Sequence, residues 1–381
     1  MQRLAPAIAF LASLFSCGDT SIQLGPDGAY HVHPGDSIQQ ALELASGDSL
    51  HKTVKVHPGT YRPSKPGQAL IWFNRRHDGI VLEALGQVVL TAANPDLADP
   101  TAPSYPAVVN HVVYFGDGIS RRTILRGFKI TGANNFVTQV DDPVNIQPNA
   151  LDIEWEKGLF FYADGGGIKI FGRSYPTIDG AEVYDNYASP CGGGVSIEHR
   201  GFNDQSVLLE NCIFRANHSQ ITGAAVDVLP RSAAVIRNCL FVGNIANTGV
   251  DYVGRKGGLE YNKKHGSGAL TVFPGSHVQV DRCTFTGNWN GADDKSLSSY
   301  RNTIFWMNTA SGGIAPGRRY ELDITVGHRV SGCFFRGEIE DLRNSINPDK
   351  NTFDAPNPRF DADYRPHAPE YTAVGYRPVS P

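Results

Sequence analysis

Five segments of this 381-residue chain can be laid over one another: Asn211-Cys212-Ile213-Phe214, Asn238-Cys239-Leu240-Phe241, Arg282-Cys283-Thr284-Phe285, Asn302-Thr303-Ile304-Phe305 and Gly332-Cys333-Phe334-Phe335. Three residues past the Phe of the first four stands an Asn: Asn217, Asn244, Asn288 and Asn308. Gly-rich openings recur at Gly165-Gly166-Gly167-Ile168, Gly192-Gly193-Gly194-Val195, Gly223-Ala224-Ala225-Val226 and Gly266-Ser267-Gly268-Ala269, and looser copies run over 125–132 and 178–186. Cys212 and Cys239 lie 27 residues apart, as do Gly165 and Gly192, with longer spacings of 31 and 44 elsewhere. A repeat of this length, made of short β-branched runs without helical periodicity, closes on itself as one turn of a solenoid. Its strands then stack about 4.8 Å above those of the preceding turn, so equivalent residues form columns. The Phe column fills the lumen, the Asn amides bond along the stack, and Gly serves the sharp bends.

The cysteines follow the same logic. Cys212, Cys239, Cys283 and Cys333 occupy one repeat position facing inward, and neighbours one turn apart sit slightly beyond disulfide range. They read as small buried hydrophobes. Cys191, before a Gly-rich corner, has no place in that column.

Composition narrows the rest. With 41 Gly, 24 Pro and only two Met, a helical bundle is excluded, and 41% apolar against 19% charged residues excludes a disordered chain. A net charge of −4 gives no electrostatic footprint for nucleic acid. Arg3 followed by the apolar run Leu4–Phe15 predicts an export signal too short to span a bilayer. Its end, Leu14-Phe15-Ser16-Cys17, looks like a bacterial lipobox, so residues 1–17 are expected to be a leader and Cys17 to carry lipid, anchoring an exported cell-envelope protein to a membrane; cleavage nearby without lipidation is the alternative. Asp36 or Ser37 is expected to cap a helix whose Ile38, Ala41, Leu42 and Ala45 share one face, covering the first turn of the solenoid and shielding its strand edge. From Ser345 the chain becomes Pro-rich. Because Ile213, Leu240, Ile304 and Phe334 face outward and are apolar, residues 345–381 are expected to pack over that face.

At Val56-His57-Pro58-Gly59-Thr60-Tyr61, at Thr123 to Gly132, and in the Gly-Gly-Gly and Asn-Cys-x-Phe coils, the chain resembles the right-handed parallel β-helix proteins of the pectate-lyase-like superfamily, closest to bacterial exported repeat proteins. The resemblance implies an all-β, single-stranded right-handed parallel β-helix over 28–344 with an N-terminal capping helix and an irregular tail. The Asn-Thr-Asp, Gly-His-Gly and Arg-Ile-Lys motifs of polygalacturonases do not occur, so no catalytic role is carried over.

Candidate site residues come from the pattern itself. Three turns carry insertions at the corner after the ladder Asn, at 135–164, 245–265 and 289–300, whereas Tyr187–Cys191 and His218–Thr222 are short. The first two would emerge three turns apart, with bases about 14 Å apart, flanking a trough suited to an extended polysaccharide. In the first, Asp141, Asp142, Asp152, Glu154, Glu156 and Asp164 outnumber Lys157; in the second, Arg255, Lys256, Lys263 and Lys264 outnumber Asp251 and Glu260. Trp155, Tyr252, Tyr261 and Trp289 offer flat rings for sugar stacking, and Asp141, Asp142, Glu154 and Asp164 offer oxygen ligands for Ca²⁺. The trough floor is expected to present Lys169, Ser196, Asp227 and Thr271, flanked by Arg173, His199, Arg200 and Arg231.

The chemistry expected first is β-elimination of an acidic polysaccharide. Ca²⁺ would neutralise the uronate carboxylate, and Lys169, His199 or Arg200 would act near the sugar, with Arg173, Arg231 and Lys263 binding it. Hydrolysis by Asp227 with Asp293 or Asp294 is the runner-up chemistry. The first alternative to a polysaccharide-cleaving protein, ahead of hydrolysis, is a non-catalytic adhesive or scaffold protein, because charges in insertions are commonly solvated surface; the chain is expected to be a monomer on each reading. His31-x-His33 reads as part of a polar N-terminal strand rather than as a metal pair.

Overall fold

The computed structural model describes residues 22–138, 159–249, 267–312, 319–341 and 343–379. Three sheets, each entirely parallel, run the length of the molecule. The first has ten strands, from Ala29–Val32 to Val330–Ser331; the second has nine, from Gly59–Tyr61 to Phe334–Arg336; the third has nine, from Gly67–Phe73 to Ile339–Asp341. The chain visits the sheets in rotation, so each circuit adds one strand to each and makes one rung. A fourth, two-stranded sheet pairs Tyr187–Ala188 with His218–Ser219, at the two corners the sequence left short.

Columns of like residues hold the rungs in register. Phe214 pairs with Phe241, Phe241 with Phe285, Phe285 with Phe305 and Phe305 with Phe335. Their rings stack inside the lumen at 4.9, 4.2, 4.8 and 5.2 Å. Cys212, Cys239, Cys283 and Cys333 are buried free thiols in the same core; Cys191 is a buried free thiol at a corner, outside that column. The asparagines form a directional chain. The side-chain amide of Asn186 donates to Asn217 Oδ1, Asn217 to Asn244, Asn244 to Asn288 and Asn288 to Asn308, at 2.7–3.1 Å. Asn308 donates from its backbone and its amide to the buried carboxylate of Glu321, which ends the chain with the strongest acceptor available. The left-handed backbone needed at this corner belongs not to the ladder Asn but to the residue before it: Asp185, Ala216, Gly243, Gly287 and Met307 all have φ near +50° to +65°.

Asn244→Ala should therefore cost about 2–3 kcal/mol. It removes the acceptor of Asn217's backbone N–H and amide, and the donor to the Phe214 carbonyl. A urea midpoint that moves by less than about 1 kcal/mol would mean that water replaces those partners.

The ends are closed as their composition suggests. The helix Ile38–Gly47 is capped by the Ser37 side chain, which accepts from the Gln40 backbone N–H, and buries Ile38, Ala41, Leu42 and Ala45 against the first rungs. At the other end the tail lies over the outer face of the second sheet. Ala368, Tyr371 and Val374 pack on Ile304 and Phe334, and Tyr376 packs on Leu240 and Val242. Asn238 and Arg377 exchange hydrogen bonds that fix the tail's register.

The segment 289–300 is not an insertion. It contains Ala292–Asp294 of the third sheet and Ser299–Arg301's start in the first, and its rung closes in 20 residues between Asn288 and Asn308. A rung this short removes one of the three insertions expected from the sequence, though neither of the two expected to flank the trough.

Candidate functional site

The outer face of the third sheet carries the unusual chemistry. Strand alternation turns Ile168, Ile170, Val195, Ile197, Val226, Val228, Leu270 and Val272 into the lumen. The residues between them form an outward column, with Lys169, Ser196, Asp227, Thr271, Asp293 and Asp323 in direct register on six successive rungs. The column expected from the sequence is thus present but not open: Lys169, Ser196 and Asp227 are fully buried. Gly-rich corners fold back against it. A side-chain carbon at Gly192 would lie 2.9 Å from Ser196 Cβ, and one at Gly223 would overlap Asp227.

Burial forces the column's charges to pair. Lys169 Nζ donates to Glu198 at 2.7 Å, and the same carboxylate takes Arg200 at 2.6 Å. Farther along, Lys295 bridges Asp293 at 3.0 Å and Asp323 at 2.6 Å. Desolvation raises the Asp293 carboxyl to about 7, with Lys295 opposing the rise. Asp227 is pushed well above the usual carboxylate range, first by burial and then by Asp164. It makes no hydrogen bond of good geometry among the described residues, although the Thr222 hydroxyl lies beside it. Acids held protonated in a dry setting, on a straight column with ionised partners, are the raw material of acid–base chemistry.

Several expected assignments change. His199 is buried inside the corner, its Nε2 bonded to the Ser174 carbonyl and its Nδ1 accepting the Ala233 N–H; desolvation lowers its pKa to about 4, so it is a neutral structural residue. Lys169 is committed to Glu198, whose other oxygen takes the Nε of Arg200 while the Arg200 side chain stays exposed. Asp294 points into the lumen, where its carboxylate accepts from Ser296 and Tyr300, so it cannot face a sugar with Asp227. Asp164 is buried at a corner, its Oδ1 accepting the Cys191 N–H, rather than standing on an acidic wall. Trp289 is buried with Ala224, Ala246 and Ile245, its ring face covered by Arg319. Asp141, Asp142, Glu154, Trp155, Tyr252, Tyr261, Lys263 and Cys17 lie outside the described residues. The one described member of the Ca²⁺ set, Asp164, does not fit such a role, and among the described residues no three His, Cys, Asp or Glu converge on a metal position.

What lies open is the corner where the third sheet turns into the first. Arg173, Arg200 and Arg231 each follow their strand's last lumenal residue (Ile170, Ile197, Val228) by three positions, and those residues are in register, so the arginines occupy one site on three successive rungs. All three are exposed. Arg173 stacks 4.4 Å over Phe202, beside a cleft of about 620 Å³ lined by Ser120, Arg173, Tyr175, Phe202 and Asp204. Glu198, Lys295 and Asp323 went unnoticed in the sequence. The first two follow Ser196 and Asp293 by two residues, so strand periodicity alone would have put them on the same face.

A family model described as a right handed beta helix region matches residues 120–263. Parallel sheets visited in rotation and this match decide the architecture together. The fold is a right-handed parallel β-helix. Among solved structures, pectate lyase Pel9A aligns over 85% of this chain and 79% of its own, at 13% identity and a TM-score of 0.41. A PL6 family alginate lyase, AlyGC, aligns over 91% of this chain and 56% of its own, at 11% identity and a TM-score of 0.26. The catalytic domain of a GH87 α-1,3-glucanase, in complex with tetrasaccharides, aligns over 87% of this chain and 69% of its own, at 11% identity and a TM-score of 0.26. No curated protein matches the β-helix by sequence.

Proposed function

We propose that this β-helix binds an extended acidic polysaccharide along the arginine corner between its third and first sheets. The observation that carries the reading is the equivalence of Arg173, Arg200 and Arg231 on consecutive rungs, about 4.8 Å apart, on an exposed edge. A polymer with one carboxylate per sugar repeats its charge on a comparable length, and guanidinium forks pair with carboxylates two bonds at a time. Arg200 and Arg231 hold φ of 56° and 58°, where the equivalent positions of flanking rungs have Gly118 and Gly275. A glycine would relieve that backbone, so what the position gains is the charged side chain. Phe202 adds a flat ring beside the cleft.

The triple variant Arg173→Ala/Arg200→Ala/Arg231→Ala should weaken binding to polygalacturonate or alginate more than tenfold in affinity electrophoresis. It should also flatten the salt dependence that exposed charge pairs impose. Equal retardation by a neutral glucan, or no change in the variant, would reject the reading.

A second reading, hydrolysis, is favoured by Asp227 and Asp293. Asp227, held protonated by burial, would be the acid and Asp293, raised to about 7 beside Lys295, the base that activates water; they stand two rungs apart, about 10 Å between Cα atoms, near the spacing of inverting carboxylate pairs. It predicts new reducing ends that disappear in Asp227→Asn and in Asp293→Asn. Ultraviolet absorbance of unsaturated uronate, sensitive to EDTA, would instead reinstate elimination. Binding with neither product leaves a non-catalytic surface protein. The reading also places the chain outside the cytoplasm, led there by residues 1–17 and held by lipid on Cys17; Cys17→Ser should then leave the membrane fraction.

A further inference from the structure

The N-terminal end of the solenoid holds a group of imidazoles that the polysaccharide reading does not use. His31 and His33 lie two residues apart, on one side of the first strand and its extension. His57 joins them from the next rung. The pairing of Val32 with Val56 puts His33 opposite His57, and their rings stack at 3.9 Å. His31 Nδ1 faces His57 Nε2 at 2.9 Å. The far nitrogen of His31, Nε2, lies 3.0 Å from Asp27 Oδ1, and Lys55 Nζ holds the other Asp27 oxygen at 2.8 Å. A second carboxylate, Asp36, accepts the His33 backbone N–H at 2.9 Å. His31 and His57 are partly exposed and His33 is exposed, so an ion can reach them from solvent.

We propose that His31, His33 and His57 form a binding site for one divalent transition-metal ion of the Cu²⁺, Ni²⁺ and Zn²⁺ class, clamping the first rung to the second. The tautomers favour it. Asp27 accepts a hydrogen bond from His31 Nε2–H, which leaves a lone pair on Nδ1 aimed at His57, as carboxylates behind metal-ligating histidines do. In the metal-free protein His57 donates its Nε2 proton to that lone pair. With the ion bound, His57 carries the proton on Nδ1 and offers Nε2 instead. Two nitrogens each about 2.05 Å from a metal, at right angles, are about 2.9 Å apart, so His31 and His57 need not separate to become adjacent ligands, but both rings must turn their lone pairs from each other toward the ion. As the side chains stand, no three ligands among the described residues converge. His33 supplies the third by swinging from its stack on His57, a motion its exposure permits. The ion would cross-link the first strand, Ala29–Val32, to the next rung beside the capping helix.

Calorimetric titration of the full, untagged chain with CuCl₂, NiCl₂ or ZnCl₂ tests this. One equivalent is expected to bind. His31→Ala and His57→Ala should each weaken it more than tenfold, Asp27→Asn by about 10–100-fold through loss of the carboxylate that orients His31, and exposed, distant His277→Ala not at all. Should a variant fold poorly, the Cu²⁺-loaded wild-type protein answers alone: its electron paramagnetic resonance spectrum should carry hyperfine coupling from at least two imidazole nitrogens. No saturable binding, binding indifferent to His31→Ala and His57→Ala, or a copper signal without nitrogen coupling would overturn the proposal. None of these readouts depends on whether a polysaccharide binds.

Discussion

Phe241→Ala is expected to destabilise the chain by about 3–5 kcal/mol, the range for emptying a large buried aromatic site. Phe241 has no exposed surface and sits mid-column, its ring 4.9 Å from Phe214 and 4.2 Å from Phe285. Rung spacing is fixed by backbone hydrogen bonds between strands, so the neighbouring rings cannot close the gap and the cavity persists. Phe241→Leu, which keeps most of the volume, should cost less than half as much. Denaturant midpoints of the three proteins decide the matter. A Phe241→Ala loss under about 1 kcal/mol would show that the column is not the core of the stack.

Asp293→Asn should do the opposite, and only above acid pH. The carboxyl titrates near 3.8 when unfolded and at about 7 when folded, so the native state holds its proton across that interval while the unfolded state has released it. Stability from this group therefore falls as pH rises from about 4 to 7, by about 4 kcal/mol in all. Asn keeps the shape of the protonated acid without the penalty. Wild type and variant should coincide near pH 4 and separate steadily, the variant being the more stable by pH 8. The difference between the curves is the measurement to take. Buried His111 and His199, neutral in the fold and lowered to about 3 and 4, impose the contrary trend below pH 6.5, but equally on both proteins. Parallel curves would sink the claim that Asp293 is a strained, protonated acid. If the hydrolytic reading also holds, the stabilised variant is inactive, the usual exchange of stability for a perturbed acid.

The site was less legible than the fold, and particular residues show why. Arg173, Arg200 and Arg231 could be picked from the sequence, since a corner position three residues beyond a lumenal strand residue repeats with the rung. Lys169 and Asp227 could be placed on the outward face, but not their burial, because that depends on glycines at 165, 192 and 223 turning back over the strand that follows. Asp294 was misassigned for a simpler reason. The run Asp293-Asp294 reads as one acidic patch, whereas strand geometry sends the two carboxylates to opposite sides of the sheet, one outward and one to Tyr300 in the lumen. The contact of His57 with His33 is not legible in the sequence, because nothing local links them; one circuit of the chain brings them together.

By itself, then, the sequence determined the rung. Period, Phe and Asn columns, corner glycines, capping helix and covering tail all follow from side-chain volume and hydrogen-bonding capacity repeated along the chain, and a repeat transmits local preferences without long-range information. Tertiary structure alone decided which charges are dry, which are paired and which face solvent. Those outcomes depend on residues a full circuit or more apart, such as Lys169 with Glu198, Lys295 with Asp323 and His33 with His57. The free energy of a charge is set by everything within a few ångströms of it, and here most of that neighbourhood comes from other rungs.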